Sequence, residues 1–507
     1  MKWLGLCMAR NDGKPDLAPH AWTIVGSGLF WAWVDSLFMG SLFPEGSLLS
    51  IFVLLAVSLL GALAGLVLWA VSKRIRRILL SPKLFLLAGV AGCLSCLVLG
   101  VSAYCGWAFM LACGVALGAF YLLFSVVNWG VAYCLHRGES AVACIAASFA
   151  LAVVVDLLIV AIDPVARSVF LAVVPLASFA VRRKVRIPNY DELSAEFPLS
   201  DDEGRKATSG TRSIGERLFR MFGITPVALG SLLLMMLCFG YMQYIMSSGA
   251  ISAQLGNWHV PAVIVMQVAR GAAALLLLGV AACAPKRTDL VFKAGLLVAV
   301  AGFLTMPFFS MAQLAWLSGA MVMAGYTFFD TLIWVLVVRA CCTRACDPVS
   351  VILAMRQVAN GIGISCGMIF GMVLPGCFPK EMSFHPDAIV AGYAATIAAM
   401  LVVGSREVWL LFEASAKRAV SQGDERDLEP TQLRLKSLGE KWGLTPREQE
   451  VFAYVAAGRS QPWISETLCI AEGTAKTHIR HIYQKAGVSS KQALIDQVFQ
   501  DESSERA

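Results

Sequence analysis

The sequence predicts an all-α protein: a polytopic membrane helical bundle of about twelve transmembrane helices, arranged six and six, followed by a C-terminal four-helix domain. Three observations predict it. The 507 residues are 58% hydrophobic and only 15% charged, and the mean hydropathy of +0.70 excludes an ordinary soluble protein. Apolar runs of about the 20 residues needed to cross a bilayer recur along the first four-fifths of the chain. From Leu444 onward that pattern gives way to short amphipathic segments separated by helix caps.

Met1 to His20 is short and mixed, with Lys2, Arg10 and Lys14, and no removable signal peptide is expected there. The first six apolar runs fall near residues 21–43, 47–71, 84–102, 107–132, 139–161 and 165–181. A polar stretch over 182–220, opening with Arg182, Arg183 and Lys184, reads as a cytosolic linker. Six further runs follow near 224–247, 261–283, 289–310, 312–337, 348–375 and 386–411.

Lys and Arg sit in alternate turns. They cluster after the second run (Lys73, Arg74, Arg76, Arg77, Lys83), after the sixth, and after the eighth (Lys286, Arg287, Lys293). The intervening turns Pro44 to Ser47, Ser102 to Gly106 and Ser247 to Val260 contain neither. The positive-inside rule then places both termini in the cytosol, with the chain multi-pass in the cell membrane and in contact with lipid.

The net charge of +7 does not come from the tail, which from Glu413 holds thirteen Lys or Arg against fourteen Asp or Glu. Within that tail, charge is segregated. Thr445, Pro446 and Glu448 read as a cap, a first-turn proline and a carboxylate reaching back to the cap. Val451, Phe452, Val455 and Ala456 give the helix that follows an apolar side, Gly458 ends it, and Ser460 with Pro462 opens the next. In the third helix, Glu472 to Ala486, an inward stripe of Ala475, Ile479, Ile482 and Ala486 opposes Lys476, Thr477, Arg480, His481 and Gln484. Between Thr474 and Lys491 there are four Lys or Arg and no Asp or Glu. Such a face suits a helix lying in the DNA major groove, where long cationic and polar side chains reach bases and phosphates.

The TPREQEV start, the T-x-K-x-H core of the third helix and the K-x-G-V-x-S exit resemble the LuxR/FixJ-type helix-turn-helix regulators over roughly the last sixty residues. The resemblance implies binding to double-stranded DNA. Lys476, Thr477 and Arg480 would face bases, and Thr474, His481, Lys485 and Lys491 would lie nearer phosphates. Ala471 stands where the family carries a polar cap, and Gln461-Pro462-Trp463 replaces a polar run in the preceding helix.

The layout of two six-helix halves, a cytosolic middle linker and matching basic turns after the second and eighth runs resembles the major facilitator superfamily over residues 1 to about 412. SKRIRR at 72–77 occupies the family's signature loop, although its Gly and Asp are absent.

Polar groups within the apolar runs are costly in lipid and pair with one another or line a cavity. Asp35, Asp156, Arg270, Asp330 and Arg356 are such groups, joined by Asn128, Gln243, Gln267 and Asn360. Asp35, Arg270, Asp330 and Arg356 are the candidate small-molecule ligand site, with Trp31, Trp33, Trp129 and Trp334 as candidate walls. The alternative is structural Asp–Arg pairing.

The fifteen cysteines are scattered, mostly in apolar runs, where a thiol packs as a small apolar group. Cys341, Cys342 and Cys346 read as part of a cytosolic turn without a nearby His, so no metal site is expected. No cofactor motif or catalytic set stands out, and no enzyme activity is expected.

The expected organisation is thus a transmembrane input domain (1–412), a tether (413–443) and a LuxR-type DNA-binding domain (444–507). Leu428, Leu433, Leu435 and Leu438 in the tether offer a way to dimerise the tail as a homodimer. The function expected is a membrane-bound one-component transcriptional regulator with ligand sensing by the membrane domain. The alternatives are a secondary transporter with an appended DNA-binding module, and an interaction protein whose tail binds another regulator.

Overall fold

A computed structural model describes residues 17–38, 43, 48–70, 78–136, 139–190, 192–193, 226–247, 253–255, 258–260, 262–284, 287–309, 315–344, 347–374, 386–404, 435, 437–439, 441–456, 461, 464–465 and 472–499. The basic turn at 72–77, most of the 182–220 linker, the tether up to residue 434, and Gly458, Ser460, Pro462, Trp463 and Ala471 lie outside the described residues. The chain divides into two compact units, Met1–Ser415 and Ala416–Ala507.

In the first unit the long helices are α1 (Leu17–Phe38), α2 (Leu48–Ala70), α3 (Pro82–Cys105), α4 (Ala108–Cys134), α5 (Glu139–Val160) and α6 (Pro164–Arg182). The second set is α7 (Pro226–Ser247), α8 (Ala262–Cys283), α9 (Thr288–Phe309), α10 (Ala315–Arg344), α11 (Pro348–Val373) and α12 (Pro386–Gly404). Among the described residues, eight of these helices are long and apolar enough to cross a membrane. Helix is the form lipid demands, because each backbone N–H and C=O must find its partner within the segment. Local sequence sets the ends. Pro82 supplies the first turn of α3, and Gly106, at φ 66°, closes it by donating its N–H to the Ser102 carbonyl.

The packing repeats itself. In the first set α1 lies on α5 and α6, α3 on α4 and α6, and α2 on α4. Adding six to each number gives the second set, with α7 on α11 and α12, α9 on α10 and α12, and α8 on α10. The two sets meet through α5 with α8 and α2 with α11, contacts that the same shift exchanges. The unit is therefore a pseudo-two-fold pair of six-helix sets. Its outer surface is apolar, as on α2, where Leu59, Leu63, Leu66 and Val67 are exposed. Inside, α7 and α11 touch backbone to backbone: a Cβ on Gly367 would stand 1.9 Å from the Leu237 carbonyl oxygen, the small-residue contact typical of membrane helices.

Three details differ from the sequence reading. Ala253–Leu255 (β1) and Trp258–Val260 (β2) form an antiparallel hairpin, with Leu255 opposite Trp258, in the turn between the seventh and eighth apolar runs, for which no strand was expected. Cys341 and Cys342 belong to α10, which runs on to Arg344, and not to a turn; Cys341 is buried. In α11, Ile352–Ala359 takes wide i→i+5 turns, a feature that often marks functional positions in helices.

The second unit contains α13 (Pro446–Ala456), α14 (Glu472–Ala486) and α15 (Lys491–Phe499). The second helix of the expected four falls largely outside the described residues. The core is Val451, Phe452, Val455, Ile464, Ile482 and Leu494, with Ile479 packed at its side. Leu435 and Leu438 join it, so the packed unit begins ahead of Leu444. Gly487, at φ 71°, ends α14. Ser490 starts α15 by accepting the Ala493 N–H at 3.1 Å.

Candidate functional site

In the second unit the site is α14. Its apolar stripe docks the helix on the core, with Ala475 and Ile482 fully buried, which turns the opposite side outward. Thr474, Lys476, Thr477 and Arg480 are exposed, while His481 and Lys491 are half-buried. Lys476, Thr477, Arg480 and Lys491 line one open depression of about 500 Å³ with Gln461 and Tyr483. Thr474, His481 and Lys485 form a second row, displaced by about 100° on the helix.

That second row meets α13. The Glu448 carboxylate accepts from Lys485 Nζ at 2.6 Å and lies 3.5 Å from His481 Nδ1. Lys485 also donates to the Gly443 carbonyl at 3.0 Å. Glu448 completes the reciprocal cap read from the sequence: it accepts the Thr445 N–H at 2.8 Å, and its own N–H donates to Thr445 Oγ1 at 3.3 Å. The Lys485 hydrogen bond and the Thr445 N–H hold the Glu448 carboxyl down at about 2. Lys485 is thus committed to holding α14 on α13, a role the sequence reading did not foresee.

In the first unit the candidate ligand residues converge, but on each other. Arg270 of α8 donates to Asp35 of α1 at 2.5 Å, and Arg356, on the wide turns of α11, bonds Asp330 of α10. All four are buried, with 1–4% exposure. Aromatic faces enclose both guanidinium groups: Phe149 and Tyr326 at 5.3 and 5.8 Å from Arg270, Trp31 and Trp334 at 5.2 and 4.9 Å from Arg356. Cation–π contact of this kind is strongest when desolvated. Trp31 and Trp334 do flank the cluster, whereas Trp33 bonds Cys96 and Trp129 bonds Ser178. Asp156 of α5 accepts from Ser36 Oγ at 2.5 Å and Gln267 Nε2 at 2.7 Å. Asp35 Oδ2, Asp330 Oδ2, Arg270 Nε and Gln267 Oε1 have no hydrogen-bond partner.

The space beside the cluster is small. A cavity of about 40 Å³ is lined by Trp31, Ser58, Tyr326, Arg356, Gln357 and Asn360 among others. Small-molecule sites are commonly about 300 Å³ or more, so this cavity is too small for a ligand of that size.

Residues 443–498 match the family of bacterial regulatory proteins, luxR family. The C-terminal unit carries a LuxR-type helix-turn-helix domain, a DNA-binding module of transcription regulation. Over 52 residues, 10% of this chain, it is 42% identical to the transcriptional regulatory protein MctR of Rhizobium johnstonii and, equally, to the probable transcriptional regulatory protein NarL of Mycobacterium tuberculosis. The chain spans about a quarter, 24%, of the length of either relative. The membrane unit is similar to major facilitator superfamily structures. One is the proton:xylose symporter XylE, at 16% identity and a TM-score of 0.47, covering 76% of this chain and 95% of that one.

Proposed function

We propose that the chain is a membrane-bound, one-component bacterial transcriptional regulator. Residues 1–412 serve as the input domain, 413–443 as the tether and 444–507 as the output domain. Both termini are cytosolic and the membrane is the cytoplasmic membrane, which puts α14 on the side where DNA is. The output domain binds double-stranded DNA as a homodimer: Lys476, Thr477 and Arg480 face bases, and Thr474, His481 and Lys491 stand nearer phosphates. Lys485 contributes mainly by fixing the helix. The input domain changes arrangement in response to a small signal at the cluster of Asp35, Arg270, Asp330 and Arg356.

One observation carries this reading: a LuxR-type domain shares a single chain with a two-set helical bundle whose buried charges sit where the sets meet. Charges in that place make each arrangement depend on what they bind. The test is recovery of specific DNA fragments with the full-length protein cross-linked in native membranes, compared with an Arg480→Ala variant. Enrichment lost in the variant supports the reading. Equal recovery of all fragments by both proteins overturns it.

The same buried cluster favours a second reading, a secondary transporter with an appended regulatory module. Cells lacking the C-terminal unit would then still accumulate a solute in a manner dependent on Asp35 and Asp330, which a sensor would not do.

A further inference from the structure

The charges of the buried cluster form two pairs of different kinds. Asp330 and Arg356 both belong to the second six-helix set, whereas Asp35 on α1 of the first set is held by Arg270 on α8 of the second. Parting the sets at this point therefore separates Asp35 from Arg270 and leaves Asp330 with Arg356. The third buried carboxylate, Asp156, accepts from Ser36 and Gln267, and the charge of Arg167 acts on it. The carboxylates of Asp35, Asp156 and Asp330 and the guanidinium groups of Arg167, Arg270 and Arg356 thus sum to no net charge.

A neutral region with one separable pair restricts what enters when that pair opens, because a buried ion stranded without its partner is strongly destabilising. A carboxylate ligand satisfies Arg270 and strands Asp35. An amine or a metal cation satisfies Asp35 and strands Arg270. A neutral polyol brings a charge to neither. A molecule carrying one ammonium and one carboxylate group pairs with both, so that two ion pairs in series replace one and the sum stays at zero.

The unfilled hydrogen-bond positions have the matching composition. Asp35 Oδ2, Asp330 Oδ2, Gln267 Oε1 and Asn360 Oδ1 are buried acceptors without a donor, and Arg270 Nε and Trp334 Nε1 are buried donors without an acceptor. An ammonium group brings three donors and no acceptor, and a carboxylate brings acceptors only. Asn360, Arg356 and Tyr326 line the same cavity of about 40 Å³, and the Tyr326 ring lies 5.8 Å from the Arg270 guanidinium, which joins that cavity to the separable pair. The faces of Tyr326 and Phe149 that now flank Arg270 suit a ligand cation equally well.

We propose that the ligands of this cluster are small zwitterionic amino acids, with the ammonium group on Asp35 and the carboxylate on Arg270. The proposal deepens the reading above, in which the membrane unit changes arrangement around these residues, and rests on it. The ligand enters between Asp35 and Arg270 as the sets part there, since the cavity of the closed arrangement is too small to hold it. Only ion pairs and hydrogen bonds are exchanged.

The test is thermal unfolding of the full chain in lipid nanodiscs, read by tryptophan fluorescence, with glycine, L-alanine, β-alanine, γ-aminobutyrate and ε-aminocaproate as probes. Butanoate and butylamine, which carry one charge each, are the matched controls. A ligand that binds the folded chain alone raises its melting temperature. The expected result is a saturable rise with at least one of the five amino acids, with butanoate and butylamine about tenfold or more weaker, as one missing charge-assisted contact requires. The rise is expected to vanish when Asp35→Asn and Arg270→Gln are combined. No rise with any of the five, an equal rise with butanoate or butylamine alone, or a rise that survives the double variant overturns the ligand class. Should the double variant fail to accumulate, the single-charge controls on the parent chain decide. The measurement reads no promoter, so the two proposals fail separately: a promoter blind to an amino acid that binds in nanodiscs overturns the regulator reading and leaves the ligand class standing.

Discussion

Lys485 of α14 donates to the Glu448 carboxylate of α13 at 2.6 Å across 37 residues of sequence. The contact fastens the helix that carries the side chains proposed to face DNA to the capped start of its neighbour. One carboxylate therefore serves two purposes, closing the Thr445 cap and holding Lys485.

A pH dependence follows from this carboxylate. Glu448 is lowered from 4.5 to about 2, first by the Lys485 hydrogen bond and then by the Thr445 N–H. A carboxyl depressed in the folded state stabilises it fully above the unfolded value, and that stability is lost as pH falls through the folded one. The isolated C-terminal unit is expected to lose stability between about pH 4.5 and 2, the interval spanned by those two values. Glu448→Gln is expected to lower stability near pH 7 by about 1.5 to 3 kcal/mol, the range for a hydrogen bond to a charged group, and to flatten the acid limb. Urea denaturation at a series of pH values measures both.

The side chains of α14 and Lys491 at the start of α15 predict different DNA phenotypes. Lys476→Ala and Arg480→Ala are expected to cost about 1 to 3 kcal/mol of binding and to relax base preference, whereas Lys491→Ala weakens all sequences alike and lowers the salt slope by about 1. Lys485→Ala is expected to lower the stability of the unit along with its affinity, because it leaves Glu448 without its cation. Fluorescence anisotropy on specific and scrambled duplexes at several salt concentrations, beside thermal melts, distinguishes the three classes. Lys476→Ala, Arg480→Ala and Lys491→Ala all binding like the parent would remove the recognition helix from its assigned role.

Arg356 and Asp330 are both almost fully buried, so removing one partner strands the other. Arg356→Ala is expected to destabilise the membrane unit by about 3 to 5 kcal/mol, as for other broken buried pairs. The double variant Arg356→Gln with Asp330→Asn should recover most of that loss. Thermal unfolding in nanodiscs measures both, and a double variant no more stable than the single one would mean that the pair is not the unit of stability.

What the sequence made legible were features written locally. The third C-terminal helix reads as Glu472 to Ala486, the bounds it has, because its apolar stripe and the glycine that follows lie close together in the chain. The reciprocal Thr445–Glu448 cap was read in the same way. The intramembrane charges were conspicuous because lipid makes them rare. Their pairing was not, since Asp35 and Arg270 are 235 residues apart and only the packing of α1, α5 and α8 brings them together. Lys485 was read as a phosphate contact because its charge is visible in the sequence and its partner is not. The Gly256-Asn257 pair between β1 and β2 is a two-residue hairpin signal that counting apolar runs passes over. The wide turns at Ile352–Ala359 have no local marker: no Pro lies among them, and Arg356 reads like any other helical residue.

The last prediction concerns coupling between the two units. An input that binds one arrangement of the membrane unit tenfold more tightly shifts the equilibrium by about 1.4 kcal/mol and no further. A signal so small cannot refold the helix-turn-helix, but it can change how often two tails meet, since dimers bind paired half-sites about 10 bp apart better than monomers do. In the proposed regulator the chain between residues 413 and 443 is the only covalent route for that signal. Replacing its first part, up to residue 434, with Gly/Ser of equal length leaves Leu435 and Leu438 in the C-terminal core and makes the link a random coil. The expected outcome is a promoter that no longer follows the input, with the isolated unit's DNA affinity unchanged; Arg270→Ala should give the same loss by acting at the other end. Both are read with a promoter reporter at matched membrane abundance. A flexible-linker variant that responds as fully as the parent would rule out mechanical coupling and leave the membrane unit acting through the cytosolic concentration of a transported solute.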